Sequence, residues 1–263
     1  MIKVITINIL FELDEWDQRR TLLVNELAAE DADLIALQEA NLKENTGIWL
    51  AEQLGMQYIQ IVPFQQLSPH SIPYGIAILS RHPFIQQQTL DLQSQGRFAQ
   101  FVEVAPAAQP LVFCNGHYFW HPGTHPERDR QVQQLLDWLD LLPDEMPLIA
   151  VGDFNGTPET SAIALMRKHF VSAYAAKHGQ EPDFTCPTPL ARRNKGKFLR
   201  HIWRNLKVNQ TLIPWHGTLD YIFVNQHLQV ADCRLILTKP ASGSRTLYPS
   251  DHFGIVADLE IIR

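Results

Sequence analysis

The chain has 263 residues, of which 45% are hydrophobic and 19% charged, and its net charge is −6. That balance fits an ordinary globular protein of one large domain or two small ones, and it excludes a polyanion-binding surface spread over the whole molecule. Cys114, Cys186 and Cys233 are few and widely spaced, which excludes a disulfide framework and a zinc ribbon.

Apolar runs alternate with helical patterns. Residues 2–9 are rich in β-branched side chains and read as a strand, and residues 19–30 as a helix. Residues 34–38 form a short apolar run with Glu39 at its tip, and residues 76–79 and 111–115 look the same. Residues 127–142 are the clearest helix, with Val132, Leu135, Leu136 and Leu139 on one face. Another buried strand is expected over 148–151. Thr157 and Pro158 then read as the cap and first residue of a helix running toward Phe170. A strand follows over 219–224. The last segment alternates, with Phe253, Ile255, Ala257, Leu259 and Ile261 on one face. There are no repeats and no low-complexity linker, so one domain over 1–263 is expected.

The stretch from 184 to 219 contains no Asp or Glu. It holds Arg192, Arg193, Lys195, Lys197, Arg200, Arg204 and Lys207, with Phe198, Trp203 and Trp215 interleaved. This is a local basic patch that the overall charge conceals, and it reads as an insertion at about 184–217.

Polar groups recur where buried strands stop or start: Asn8, Glu39, His117, Asp153 with Asn155, Asp220, and Asp251 with His252. Strand ends are where functional side chains gather in α/β folds. Hydrolysis of a phosphate ester needs a hard cation, a positioned water and donors for the phosphoryl oxygens. Glu39 can supply a carboxylate to Mg²⁺, Asp153 can orient or deprotonate water, and Asn155 can donate to developing charge. Two histidines can flank the phosphate, one of them fixed by a carboxylate. Each residue alone also has a plain reading as a turn or surface group. The co-occurrence is the signal.

The ordered strings TINI, ALQE, YGIAILSR, NGH, GDFN, LDYIFV and SDHFGIVADL span nearly the whole chain. Together they resemble the endonuclease/exonuclease/phosphatase superfamily of DNase I-like and AP endonuclease-like metallophosphoesterases. The resemblance implies a four-layer α/β sandwich, with two packed mixed β-sheets flanked by helices. It implies Glu39 as the main Mg²⁺ ligand (Mn²⁺ as substitute), helped by Asn8 and Asp251. Asp153 would activate the water, and Asn155 would contact the phosphate and transition state. His252, partnered by Asp220, and His117 would face phosphoryl oxygens. Two departures stand out. Gly116 and Tyr118 flank His117 where the family has Thr and Leu, and no acid lies between Gln53 and Leu90 to partner that histidine.

The expected activity is attack of an activated water on a phosphodiester, with nucleic acid as the substrate. Arg192, Arg193, Lys195 and Lys197 would track phosphates. Trp203 would stack a base, and Tyr74 and the aromatic run Tyr118, Phe119 and Trp120 would sit beside the site. The alternative is a phosphatase or phosphodiesterase on an inositol phosphate or a lipid, sphingomyelinase-like. A non-catalytic binding module ranks below both, since no site position is lost. No transmembrane segment, signal peptide or protein partner is expected, and the composition points to the cytoplasm.

Overall fold

The structure is a computed structural model and describes residues 1–68, 70–106, 109–193, 196, 199, 202, 203, 206 and 216–262. In chain order the first half comprises β1 (Ile2–Asn8), α1 (Trp16–Glu30), β2 (Leu34–Asn41), α2 (Thr46–Leu54), β3 (Tyr58–Pro63), β4 (Tyr74–Ser80), β5 (Gln86–Asp91) and β6 (Phe98–Val104). The second half comprises β7 (Leu111–His117), α3 (Pro126–Leu139), β8 (Leu148–Asp153), α4 (Ser161–Met166), β9 (Val171–Ser172), α5 (Ala173–His178), β10 (Asp220–Val224), β11 (Leu228–Ile236) and β12 (Gly254–Ile261).

The strands form two six-stranded sheets, ordered β11-β12-β1-β2-β4-β3 and β5-β6-β7-β8-β10-β9. Both are mixed: β1–β2 and β7–β8 are parallel, and their other pairings are antiparallel. Strand alternation sorts the side chains into three apolar layers. Ile2, Val4, Leu34, Phe113, Ile149, Val151, Ile222 and Ile255 meet between the sheets. Ile5, Ile7, Ile35 and Leu37 point the other way, onto Leu23 and Leu27 of α1 and Leu50 of α2. Val112, Cys114 and Ala150 likewise face Val132, Leu135 and Leu136 of α3 and Ile163 of α4. The result is the four-layer α/β sandwich, helix–sheet–sheet–helix.

The inner rows change chemistry along their length. In β1 the inward parity runs Ile2, Val4, Thr6, Asn8; in β7 it runs Leu111, Phe113, Asn115, His117; in β8 it runs Ile149, Val151, Asp153. β10 runs antiparallel to β8 with Asp220 opposite Asp153, so its acid lies at the same end. One end of the inter-sheet space is therefore polar while the rest is apolar.

A β-bulge interrupts β2: Leu37 pairs with Ala77 and Ala40 with Gly75, three residues against two. Glu39 takes the extra turn in the left-handed region, φ 58°. Without it, Glu39 would share the parity of Ile35 and Leu37 and face the helices. With it, Ala40 takes that place and Glu39 turns toward the polar end, a known use of bulges beside sites. Asn115 crosses from the other sheet to serve the disturbed ladder, its Nδ2 donating to Leu37 O at 3.0 Å and Ala77 O at 2.9 Å. Its Oδ1 accepts from Gln38 Nε2 at 2.8 Å.

One expected element is corrected. Thr157 and Pro158 do not open a helix. Thr160 sends both its N–H and its hydroxyl back to Thr157 O, at 2.9 and 2.7 Å, which closes a turn. The helix starts only at Ser161 and ends at Met166, short of Phe170.

Replacing Asn115 by the isosteric Leu should lower unfolding stability by about 2–6 kcal/mol, because the Leu37 and Ala77 carbonyls lose this donor at ~1–3 kcal/mol per buried group, while Gln38 Nε2 keeps Thr6 Oγ1. Urea unfolding measures it, and a loss below about 1 kcal/mol would show that these groups are satisfied without Asn115.

Candidate active site at the strand ends

The polar end is organised around Asp153, the last residue of β8, which is 1% exposed. Its Oδ2 accepts from Asn8 Nδ2 at 3.1 Å, across the two sheets. The same oxygen lies 3.4 Å from His117 Nε2 and 3.9 Å from His252 Nε2. Its Oδ1 accepts the backbone N–H of Asn155 at 2.9 Å. Burial first, and then the nearby Asp220 charge, push the Asp153 carboxyl up to about 7. A buried acid poised there suits general acid–base work at neutral pH.

Each histidine is oriented from behind. His252 Nδ1 lies 2.9 Å from Asp220 Oδ2, which also accepts Thr185 Oγ1 at 2.5 Å. Burial works against the charged ring, but Asp220 and then Cys186 together outweigh it and leave the His252 pKa well above the ordinary 6.5. His252 is therefore an imidazolium with Nε2–H facing Asp153. His117 has no carboxylate behind it. Its Nδ1 lies 2.8 Å from Arg97 Nη1. Burial, then Arg97 and His252, hold its pKa well below the ordinary value, so the ring is neutral. Arg97 is the functional neighbour that sequence reasoning missed. The missing acid between Gln53 and Leu90 marked the gap, but only the β6–β7 pairing shows what fills it.

Glu39 Oε2 accepts Phe11 N–H at 3.2 Å, and its Oε1 lies 4.0 Å from His117 Nε2. Burial, then the charge of Asp251, raise the Glu39 pKa. Ser250 ties this corner together, its hydroxyl donating to Asn8 O at 2.6 Å and lying 3.3 Å from Asp251 Oδ1. Glu39 and Asp251, two carboxylates near enough for one charge to raise the other's pKa, and Asn8 Oδ1, which also accepts Leu10 N–H at 3.0 Å, are oxygen donors of the kind a hard divalent cation takes. A second grouping, Asp153, Asp220 and His252, places ligand atoms within 4.8 Å of one another. There His252 Nδ1 is spent on Asp220 Oδ2, Asp220 Oδ1 is buried without a partner among the described residues, and a histidine nitrogen is part of the donor set. The Glu39–Asp251 corner is the better fit for oxygen-only ligation.

Other expected residues fall differently. Asn155 donates one amide hydrogen to Tyr118 O at 3.1 Å and keeps a second. Tyr74 stacks on Phe11 at 4.5 Å and lies under the Arg97 guanidinium, within the site's wall. Tyr118 and Phe119 are not a surface cluster. They are 1% and 7% exposed, Tyr118 stacking on Phe154 inside the outer core, and of that run Trp120 alone is exposed. Arg193 is engaged with Glu15 and, at 3.0 Å, with Thr246 Oγ1. Arg192 and Trp203 are exposed, while Lys195 and Lys197 lie outside the described residues.

The raised Asp153 pKa gives a signed expectation. Between 3.8 and about 7 the folded protein holds a proton that the unfolded chain has lost. Its contribution to stability is therefore unaffected below that window and falls as pH rises through it, by at most ~1.4 kcal/mol per pH unit. Urea unfolding in EDTA at about pH 4.5 and about pH 7 should show a steeper loss for the wild type than for Asp153→Asn. Equal slopes would assign the pH dependence elsewhere.

Mouse 2′,5′-phosphodiesterase 12 is 25% identical over 294 residues, covering 94% of this chain and 46% of its own. Rat nocturnin is 27% identical over 271 residues, covering 93% and 58%. The chain thus spans about half the length of the curated relatives it matches. The solved human nocturnin catalytic domain with bound sulfate anion superposes with a TM-score of 0.73 at 25% identity, covering 99% of this chain and 93% of that one. Among the described residues no helix is long and apolar enough to cross a membrane. The sequence model of the Endonuclease/Exonuclease/phosphatase family matches residues 5–252, and the chain belongs to that family.

Proposed function

We propose that this protein is a Mg²⁺-dependent phosphodiesterase that cleaves nucleic acid by in-line attack of water. The observation that carries the reading is the buried Asp153, poised at about 7 and surrounded by Asn8, His117 and His252, beside an acid pair in need of a cation. Asp153 takes the proton of the attacking water, while Asn8 holds the carboxylate in place. His252, kept cationic by Asp220, donates Nε2–H to a phosphoryl oxygen. His117 donates its Nε2–H to another, and Asn155 offers its remaining amide hydrogen to the developing charge. Glu39 and Asp251, with Asn8, would hold Mg²⁺, for which Mn²⁺ can substitute; when bound, the cation polarises a phosphoryl oxygen. No covalent enzyme intermediate is required.

A phosphodiester substrate is supported by the name of one relative, a 2′,5′-phosphodiesterase. Nucleic acid is supported by the acid-free, basic stretch within 184–217, read as an insertion in a single catalytic domain spanning 1–263. Arg192, Lys195 and Lys197 would meet phosphates there and Trp203 a base. Arg193 would have to leave Glu15 to join them. Three free cysteines are compatible with a reducing, cytoplasmic setting.

A panel of a phosphodiester dye, a phosphomonoester dye, oligonucleotides and inositol phosphates tests the reading. Oligonucleotide cleavage should appear with Mg²⁺ or Mn²⁺, vanish in EDTA and weaken with salt. Asp153→Ala and His252→Gln should each lower kcat/KM by about a hundredfold or more. Turnover without metal, or an active Asp153→Ala protein, would overturn the scheme. Preference for inositol phosphates would move the substrate and keep the chemistry.

A further inference from the structure

The partner of His117 is a cation, and its chemistry fixes more than position. Arg97 is 4% exposed. Its guanidinium lies 5.0 Å from the Phe64 ring centre and 5.6 Å from that of Tyr74, so two aromatic faces hold it in plane. Phe64 also packs against His117, with ring centres 5.8 Å apart. The turn that delivers Arg97 is built for close approach. Gly96 sits at φ +63°, where a Cβ would come within 2.6 Å of Gln65 O, and Gln65 N donates to Gly96 O at 3.0 Å. Arg97 Nε is buried with no hydrogen-bond partner among the described residues. The side chain is thus held for what its terminal nitrogens reach, at the cost of an unmet donor.

Arginine has five N–H donors, no acceptor, and keeps its proton. Nη1 at 2.8 Å from His117 Nδ1 can therefore only donate, so Nδ1 must be the bare nitrogen of the ring. The remaining hydrogen is on Nε2. That atom faces the reaction side, 3.4 Å from Asp153 Oδ2 and 4.0 Å from Glu39 Oε1. Neither contact is a tight hydrogen bond, so the donor is left for a third group between them.

We infer that Arg97 is a positioning residue that sets the His117 tautomer, presenting a neutral ring with Nε2–H toward a phosphoryl oxygen of the substrate. A carboxylate behind the ring would have accepted from Nδ1–H and favoured the imidazolium, as Asp220 does for His252. The two histidines are then backed differently: one by the Asp220 carboxylate, one by the Arg97 guanidinium. The destination of Nε2–H rests on the phosphoester reading above, whereas the Arg97–His117 pairing does not.

Ring ¹⁵N shifts of the wild-type protein, assigned to His117 through a His117→Gln variant, test the pairing without turnover. An imine-like Nδ1 and an amine-like Nε2 are expected at neutral pH, and the reverse overturns the inference whether or not any variant folds. In Arg97→Met, checked for folding by its melting transition, a protonated Nδ1 population should appear. Its kcat should fall by about tenfold or more. The same change made in His117→Ala should cost less than about twofold, because the group it positions is gone. An equal loss in both backgrounds would make Arg97 merely structural and overturn the assignment. If the shifts are as expected but the wild type hydrolyses no phosphoester in the panel, the role of Nε2–H falls with the function and the tautomer pairing stands.

Discussion

Burying a carboxylate away from water is costly unless hydrogen bonds and charges around it compensate, and the polar end of this sandwich is arranged around that constraint at Asp153. Asn8 reaches it from one sheet, His117 from the other, His252 from the closing segment, and the N–H of Asn155 from its own turn. These partners soften the penalty without removing it, and the carboxyl remains raised to about 7. A fully satisfied carboxylate would be a weak base. In the proposed mechanism the incomplete compensation is what lets it act as a base, and the arrangement requires both sheets to be in register to within a hydrogen bond.

That register is enforced one layer deeper. Gln38 of one sheet donates to Asn115 of the other at 2.8 Å and to Thr6 at 3.0 Å, while Asn115 serves the carbonyls at the β2 bulge. This polar layer lies between the apolar core and the site. It specifies alignment where apolar packing alone would permit sliding, and the bulge it supports is what aims Glu39. The basic segment is fastened at the same place. Its ends meet where Gly217 and Cys186 exchange backbone hydrogen bonds at 2.8 and 3.1 Å. Thr185 holds Asp220, and Thr188 holds the backbone of Ser250 and Asp251.

The sandwich was legible because its inner strands are either wholly apolar or alternate cleanly, as the runs before Glu39 and Asp153 and the final strand do. β5, with the sequence QQQTLD and almost fully exposed, carries no such pattern. It exists because β6 offers it an edge to pair with. The start of α4 was misread because Thr-Pro is a good helix opening by local rules, whereas the Thr160 hydroxyl found a nearer acceptor. Tyr118 and Phe119 lie beside the site, but their side chains are buried. Next to a site histidine, aromatic residues look like a binding surface, but strand parity and the loop after β7 turn them into the core.

Arg97 marks the boundary of what local pattern can reveal. Nothing in its neighbourhood of the chain distinguishes it from a surface arginine, since its meaning lies in a residue twenty positions away. β6 and β7 pair with Ala99 opposite Gly116, which brings the start of one strand beside the end of the other. Phe64 and Tyr74, from the ends of two further strands, then exclude water from the guanidinium. A one-residue slip of that hairpin would keep every motif in the sequence and point Arg97 away from His117. The motifs therefore specify which groups take part, and the sheet register specifies their protonation and direction. At His252 the two kinds of information coincide, because a carboxylate and a histidine at strand ends already suggest a pair. At His117 they separate, and there the fold supplies the chemistry that the motif leaves open.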